Sequence, residues 1–223
     1  MGITDDIKKQ RRFGFFVDGM GYSLRLFRLA HERLLTTLTA LETNESDEEA
    51  HNHAVFSAVL DAWSMIDCAY NCWDLCDQFP KLPKNEPFVQ VFQRKASYIK
   101  DLRNYRQHLR GAPDQLNEDF SYPLWGALSW ASQVQPNTCH TIFSGNMMPG
   151  VNVNSLVFDR TTQQFTCGLA IEVDGKRIDL EALTMSVLSF RTGFLEWLTT
   201  SGLAGKSTGK VPVLRMEVIP GED

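Results

Sequence analysis

Apolar positions along the chain recur every three to four residues in its first half and every second residue further on. Leu24, Phe27, His31, Leu34, Leu38 and Leu41 form the first stripe and predict an amphipathic helix of about five turns. It stops before the polar stretch Thr43-Asn44-Glu45. Ser46 with Glu49 reads as a capping box that opens a second helix. The seam of that helix, Val55, Val59, Ala62, Ile66, Ala69, Trp73 and Cys76, runs to about Phe79 and predicts a long bundle helix. Pro80, Pro83 and Pro87 punctuate the connection. Phe88, Val91, Phe92, Tyr98, Ile99, Leu102, Tyr105 and Leu109 mark a third helix, with Pro87 in its first turn and Gly111 and Pro113 ending it.

The period then changes. Leu124 to Ala131 is a short apolar run. Phe165, Cys167, Leu169, Ile171 and Val173 alternate as a strand does, and Asp174-Gly175 is a two-residue hairpin turn leading into Lys176 to Leu180. Ser155 to Phe158 is expected to pair on the other side of the alternating strand, across a turn at Asp159 to Gln163. Asp179 can cap a last helix, with apolar face Leu183, Val187, Phe190, Phe194 and Leu198 and an end at Ser201-Gly202. Val211 to Ile219 reads as an added strand.

These elements predict a mainly α (α+β) fold: a bundle of about four helices with a small antiparallel β-meander inserted before the last helix. Residues 1–120 form the helical part, 121–180 the meander, and 181–223 the closing helix and tail of the same domain. The alternative is two packed subdomains with a boundary near residue 120.

Composition narrows the function. The chain has 223 residues, 43% hydrophobic and 22% charged, and a formal net charge of -5. A polyanion binder acting through its whole surface is unlike this balance. A local basic face is not: Arg94, Lys95, Lys100, Arg103, Arg106 and Arg110 crowd one segment, opposed there only by Asp101. The first twelve residues are too charged for a signal peptide, and the uncharged stretch 120–158 is too polar to span a membrane. A cytoplasmic location without membrane contact is the expectation.

Candidate chemistry is sparse. Cys68, Cys72 and Cys76 fall at i, i+4 and i+8. On a helix they read as small hydrophobes on a buried face; the alternative is a metal site built from two of them with Cys139 and His140. His51 and His53 point about 200° apart on a helix and read as surface residues. Gly202-Leu-Ala-Gly205-Lys206-Ser207 lacks the first glycine of a phosphate loop, since Thr200 stands there, so it reads as a connector. No metal and no cofactor are expected. His31 occupies a stripe position where an apolar residue belongs, which makes it either a hydrogen-bonded core histidine or a group facing a polar site in the bundle.

The leading candidate is Arg103-Asn104-Tyr105-Arg106-Gln107-His108. A histidine titrating near neutrality can take a proton from an RNA 2′-hydroxyl or give one to the leaving oxygen. A permanently charged, forked arginine can hold the phosphate. Five residues apart on a helix, Arg103 and His108 lie about 140° apart, so a joint site needs a distorted helix end or a second chain. Arg25 and His31 are similarly spaced, but Leu26 follows that arginine where Asn104 follows Arg103.

An arginine followed by a polar residue, with four to six residues between that arginine and a histidine, resembles the signature of HEPN domains. The likeness covers residues 20 to 112 and the last helix; the β segment at 121–180 is outside the usual pattern. The resemblance implies a bundle of four or five helices. It also implies a metal-independent endoribonuclease of toxin or defence type, working as a homodimer with two motifs at a shared cleft. Carried over, Arg103 and His108 are the catalytic pair and Asn104 the adjacent polar residue; Arg106 and His31 are the supporting candidates from the residue reading. RNA or a nucleotide would be the ligand, and an antitoxin or regulatory chain a further partner. The alternatives are a non-catalytic helical binding or assembly module that binds nucleotide, and an unrelated enzyme.

Overall fold

A computed structural model describes residues 5–43, 47–79, 81–107, 125–135, 137–145, 158–173 and 175–203, with Pro123 and Leu156. The architecture is mainly α: helices, a small antiparallel sheet, then a closing helix. The first helix, α1 (Asp5–Thr43), has 39 residues and is about 58 Å long. It begins well before the predicted stripe because Phe16 and Met20 extend the buried row of Leu24, Phe27, Leu34 and Leu38. Ala30 takes the fully covered place beside them, and His31 is only half-buried at the edge of the row.

Helix α2 (Glu48–Gln78) is opened by Asp47, not Ser46: the Asp47 carboxylate accepts the Ala50 N–H at 2.8 Å. An aspartate one residue before the first helical turn satisfies the Ala50 N–H, one residue past the Glu49 N–H that the expected Ser46 cap would have reached. The pairs Phe16–Phe79, Gly19–Leu75, Ser23–Cys72 and Arg33–Asp61 run in opposite senses, so α1 and α2 form an antiparallel hairpin. Cys68, Cys72 and Cys76 are buried along α2, and burial pushes the Cys68 thiol up to about 11. Among the described residues no three His, Cys, Asp or Glu are placed to hold a metal ion. His51 and His53 are exposed.

The predicted third helix is two: α3 (Pro87–Ala96) and α4 (Ile99–Gln107). Ser97 at the junction turns its hydroxyl onto the Arg94 carbonyl at 3.0 Å, competing with helix continuation. The break lets Phe92 and Ala96 pack on one side while Ile99 and Leu102 bury on α4. Tyr98, expected in the stripe, is instead exposed at the junction. The indole N–H of Trp73 donates to the Gln93 carbonyl at 3.0 Å and ties α2 to α3.

The sheet has the order β2-β1-β5-β6, with β1 (Ala127–Ala131), β2 (Cys139–Phe143), β5 (Leu169–Val173) and β6 (Lys176–Asp179), all antiparallel. A small antiparallel sheet before the last helix is as expected, but the pairing within it differs. The neighbour of β5 is β1, with Leu128 opposite Ile171, and not Ser155 to Phe158. Phe158 and Phe165 pair in a separate ribbon, β3 (Phe158–Asp159) with β4 (Gln164–Phe165). Gly126 (φ +86°) makes the β1 placement feasible, because a Cβ there would meet the Glu172 carbonyl at 2.7 Å. The hairpin at Gly175 is as expected, with Val173 opposite Lys176.

One face of the sheet, Leu128, Trp130, Leu169, Ile171, Val173 and Ile178, joins the helical core. On the other, Ala170 packs with Leu156 and Cys167 in a small second cluster. The period of two in β5 separates the faces. Strand β6 leads directly into α5 (Leu180–Thr200), capped by Asp179, whose carboxylate accepts the Ala182 N–H at 2.8 Å. Ser201 and Gly202 end it as expected. Phe79, fully buried, meets Phe13, Phe16, Phe194 and Trp197, so the hairpin and α5 share one aromatic cluster. Among the described residues no helix is long and apolar enough to cross a membrane. Gly111, Pro113, the 205–207 segment and the strand expected at 211–219 lie outside the described residues.

Candidate functional site

Arg103 and Arg106 are three residues apart on α4 and so share a face. Trp63, Asp67, Tyr70 and Asn71 of α2 follow the same rule, spaced to form one stripe. Packing the two stripes together makes a cleft of about 380 Å³ lined by Asp67, Asn71, Arg103 and Arg106. The helices meet there because Leu102 of α4 is buried one residue before Arg103, while Met65, Ile66 and Ala69 of α2 are buried beside Asp67.

The two arginines differ. Arg106 donates from its terminal nitrogen to an Asp67 carboxylate oxygen, the side chains being 29% and 38% exposed. Its guanidinium also lies over the Trp63 ring, 5.5 Å from the centroid. The Trp63 indole in turn donates to the Trp125 carbonyl at 3.1 Å, so the Arg106 side is braced from the β segment. Arg103 lies 4.2 Å above the Tyr70 ring and has no ion pair among the described residues. Its charge still acts on Asp67. Burial raises the Asp67 carboxyl above the usual carboxylate value, more strongly than Arg106 and Arg103 together lower it.

The cleft therefore holds two guanidiniums, one carboxylate and one amide. A guanidinium stacked on a tyrosine keeps its N–H edge for a ligand. Such a site suits an anion with several acceptor oxygens, Arg103 having no ion pair among the described residues and Arg106 holding Asp67 through one of its nitrogens.

Of the expected residues, Arg103 and Arg106 come together here. Asn104, half-buried on α4, is not among the residues lining the cleft. His31 lies on α1, outside it; burial lowers its pKa, against the raising effects of Glu32 and Glu181. His108 lies outside the described residues. Arg94, Lys95 and Lys100 are exposed on α3 and α4, and Asp101 pairs with Lys176 at 3.9 Å. Sequence reading missed Asp67, Tyr70 and Asn71. The available signal was Asp61 and Asp67 as the only acids between Val55 and Trp73, in a segment otherwise built for a core.

The chain was compared with family models, with curated proteins and with solved structures, and none of the three comparisons gives a match.

Proposed function

We propose that the α2–α4 cleft is the phosphate-binding half of a HEPN-like, metal-independent endoribonuclease site of toxin or defence type. What supports this most is Arg103, held over Tyr70 without an ion pair among the described residues, beside a second guanidinium in one cleft. In this reading Arg103 grips a non-bridging oxygen of the scissile phosphate. His108 takes the 2′-hydroxyl proton, the 2′-oxygen attacks phosphorus, and the bond to the 5′-oxygen breaks. The leaving oxygen gains a proton, and the products are a 2′,3′-cyclic phosphate and a 5′-hydroxyl. A second copy of the chain would bring the paired motif to a shared cleft.

The engagement of Arg106 by Asp67 favours a second reading. A cleft with half its positive charge already neutralised suits a module that binds RNA or nucleotide without cutting it.

The test is RNA cleavage in EDTA by the full chain, with folded Arg103→Ala and His108→Ala variants. Cleavage leaving cyclic phosphate ends, lost in both variants, is expected. RNA binding that depends on Arg103 without any cleavage would replace the nuclease with the binding module. Neither binding nor cleavage would overturn both.

A further inference from the structure

The α1–α2 hairpin carries a second recess that shares no residue with the α2–α4 cleft. It is a groove of about 510 Å³ whose walls include Leu29, Thr36, Ala40, Ala54 and Ser57, with Asp61 among them. The walls are mostly carbon and small, which is why the helices leave space between them. Asp61 stands in the buried row of α2, next to Ala58 and Ala62, and its side chain is only 4% exposed. Its Oδ2 is buried and has no hydrogen-bond partner among the described residues.

A buried carboxylate is costly unless paired and hydrogen-bonded. The nearest cation is Arg33, whose Nε lies 3.3 Å from Oδ2 but makes no hydrogen bond to it, and whose side chain is 54% exposed. Arg33 is thus a loose cover over the carboxylate. The other charged or titratable groups at the groove are Glu32, paired with Arg28 at 3.1 Å, and the exposed His53. Burial raises the Asp61 carboxyl, and Arg33 only partly counters it. A carboxylate so loosely paired, in a groove with aliphatic walls, has a natural complement: a cationic head on an alkyl stem.

We propose that this groove binds an aliphatic guanidinium or ammonium group, its cation displacing Arg33 to reach Asp61 and its stem lying along the Ala40 and Ala54 wall. A metal ion fits less well, because Asp61 is the single carboxylate in the groove that has no hydrogen-bonded or ion-paired partner of its own other than Arg33. The head group can come from a free amine or from an arginine or lysine of a partner chain; both present the same chemistry.

The test is calorimetric titration of the full chain with agmatine and, separately, with a blocked Gly-Arg-Gly peptide. Saturable binding is expected, weakened at least tenfold by Asp61→Asn and tightened several-fold by Arg33→Ala, which removes the competing cation. Tighter binding of agmatine assigns a free amine; tighter binding of the peptide assigns a partner's side chain. Should Asp61→Asn fail to fold, Arg33→Ala alone carries the test. Absence of saturable binding by both the parent chain and Arg33→Ala, or equal binding by Asp61→Asn, overturns the proposal. RNA cleavage is read separately, so failure here leaves the α2–α4 reading untouched.

Discussion

Glu42, at the end of α1, accepts the indole N–H of Trp130 in β1 at 2.6 Å. The same carboxylate takes the Ser132 hydroxyl at 2.6 Å and the Val134 N–H at 3.3 Å. His140 of β2 stacks on Trp130, with ring centroids 5.1 Å apart. One side chain thus fastens the first helix to the sheet across 88 positions of sequence. Glu42→Ala leaves the nearly buried indole N–H without its acceptor and should cost about 2–3 kcal/mol. Glu42→Gln keeps one acceptor and should cost less. Urea unfolding of the two variants and the parent checks both.

The same carboxylate predicts an acid response. Burial raises the Glu42 carboxyl, but the bonds from Ser132, Trp130 and Val134, with the His140 charge, outweigh burial and hold it below its usual value. A depressed folded pKa contributes stability above the unfolded value near 4.5, lost as pH falls through the folded value. The stability gap between the parent and Glu42→Gln should therefore be constant near neutrality and close below pH 4.5. A gap that widens with acid would contradict this.

Asp61 predicts the opposite sign. Its folded pKa is raised, so the stability it contributes is present below its unfolded value near 3.8 and is lost as pH rises through the folded value. At neutral pH Asp61→Asn should match the parent or exceed it by about 1 kcal/mol, since the half-exposed Arg33 is rehydrated at little cost. Thermal unfolding at pH 7 and pH 3.5 should show the advantage shrinking in acid.

The two cleft arginines should separate in a stability assay. Arg106→Ala strands the partly buried Asp67 charge and should cost about 1–2 kcal/mol. Asp67→Asn added to it should recover most of the loss. Arg103→Ala removes a cation–π contact and should cost less than about 1 kcal/mol. If RNA is bound, Arg103→Ala should lose it while the fold is retained, which filter binding and circular dichroism on one sample would show.

Gly193 on α5 faces Phe88 of α3 so closely that a Cβ would meet the Phe88 Cβ at 2.6 Å. Alanine gains about 1 kcal/mol of helix propensity. Phe88 joins its side chain to Phe190 and the core and cannot yield freely, so overpacking should win. Gly193→Ala is expected to destabilise by about 1–2 kcal/mol in denaturant titration. Phe88→Ala combined with it should show strong non-additivity.

The helical half was legible because its signal is local. The repeat from Leu24 to Leu38 states which face of α1 is buried, and Asp179 and Gly202 state where α5 starts and ends. The error at Ser97 came from a stripe that continues through a local side-chain bond to the backbone. The error at Phe165 came from an alternating run that two different sheets divide. Arg103 and Arg106 were found by their residue types, but Asp67 and Tyr70 have no meaning as a site until α4 lies against α2.

Residue order alone therefore determined the presence of α1, α2 and α5, their buried faces and the two ends of α5, since these depend on neighbours within a turn or two. Only tertiary structure decided that β1, not the 155–158 segment, borders β5, that Glu42 meets Trp130, and that Arg106 meets Asp67 while Arg103 has no ion pair among the described residues. Hydrophobic period specifies which side of an element is covered, but every exposed apolar row is equally adhesive. Which rows meet is settled by volume, backbone approach such as that at Gly126, and the few polar groups that must find partners when water is excluded.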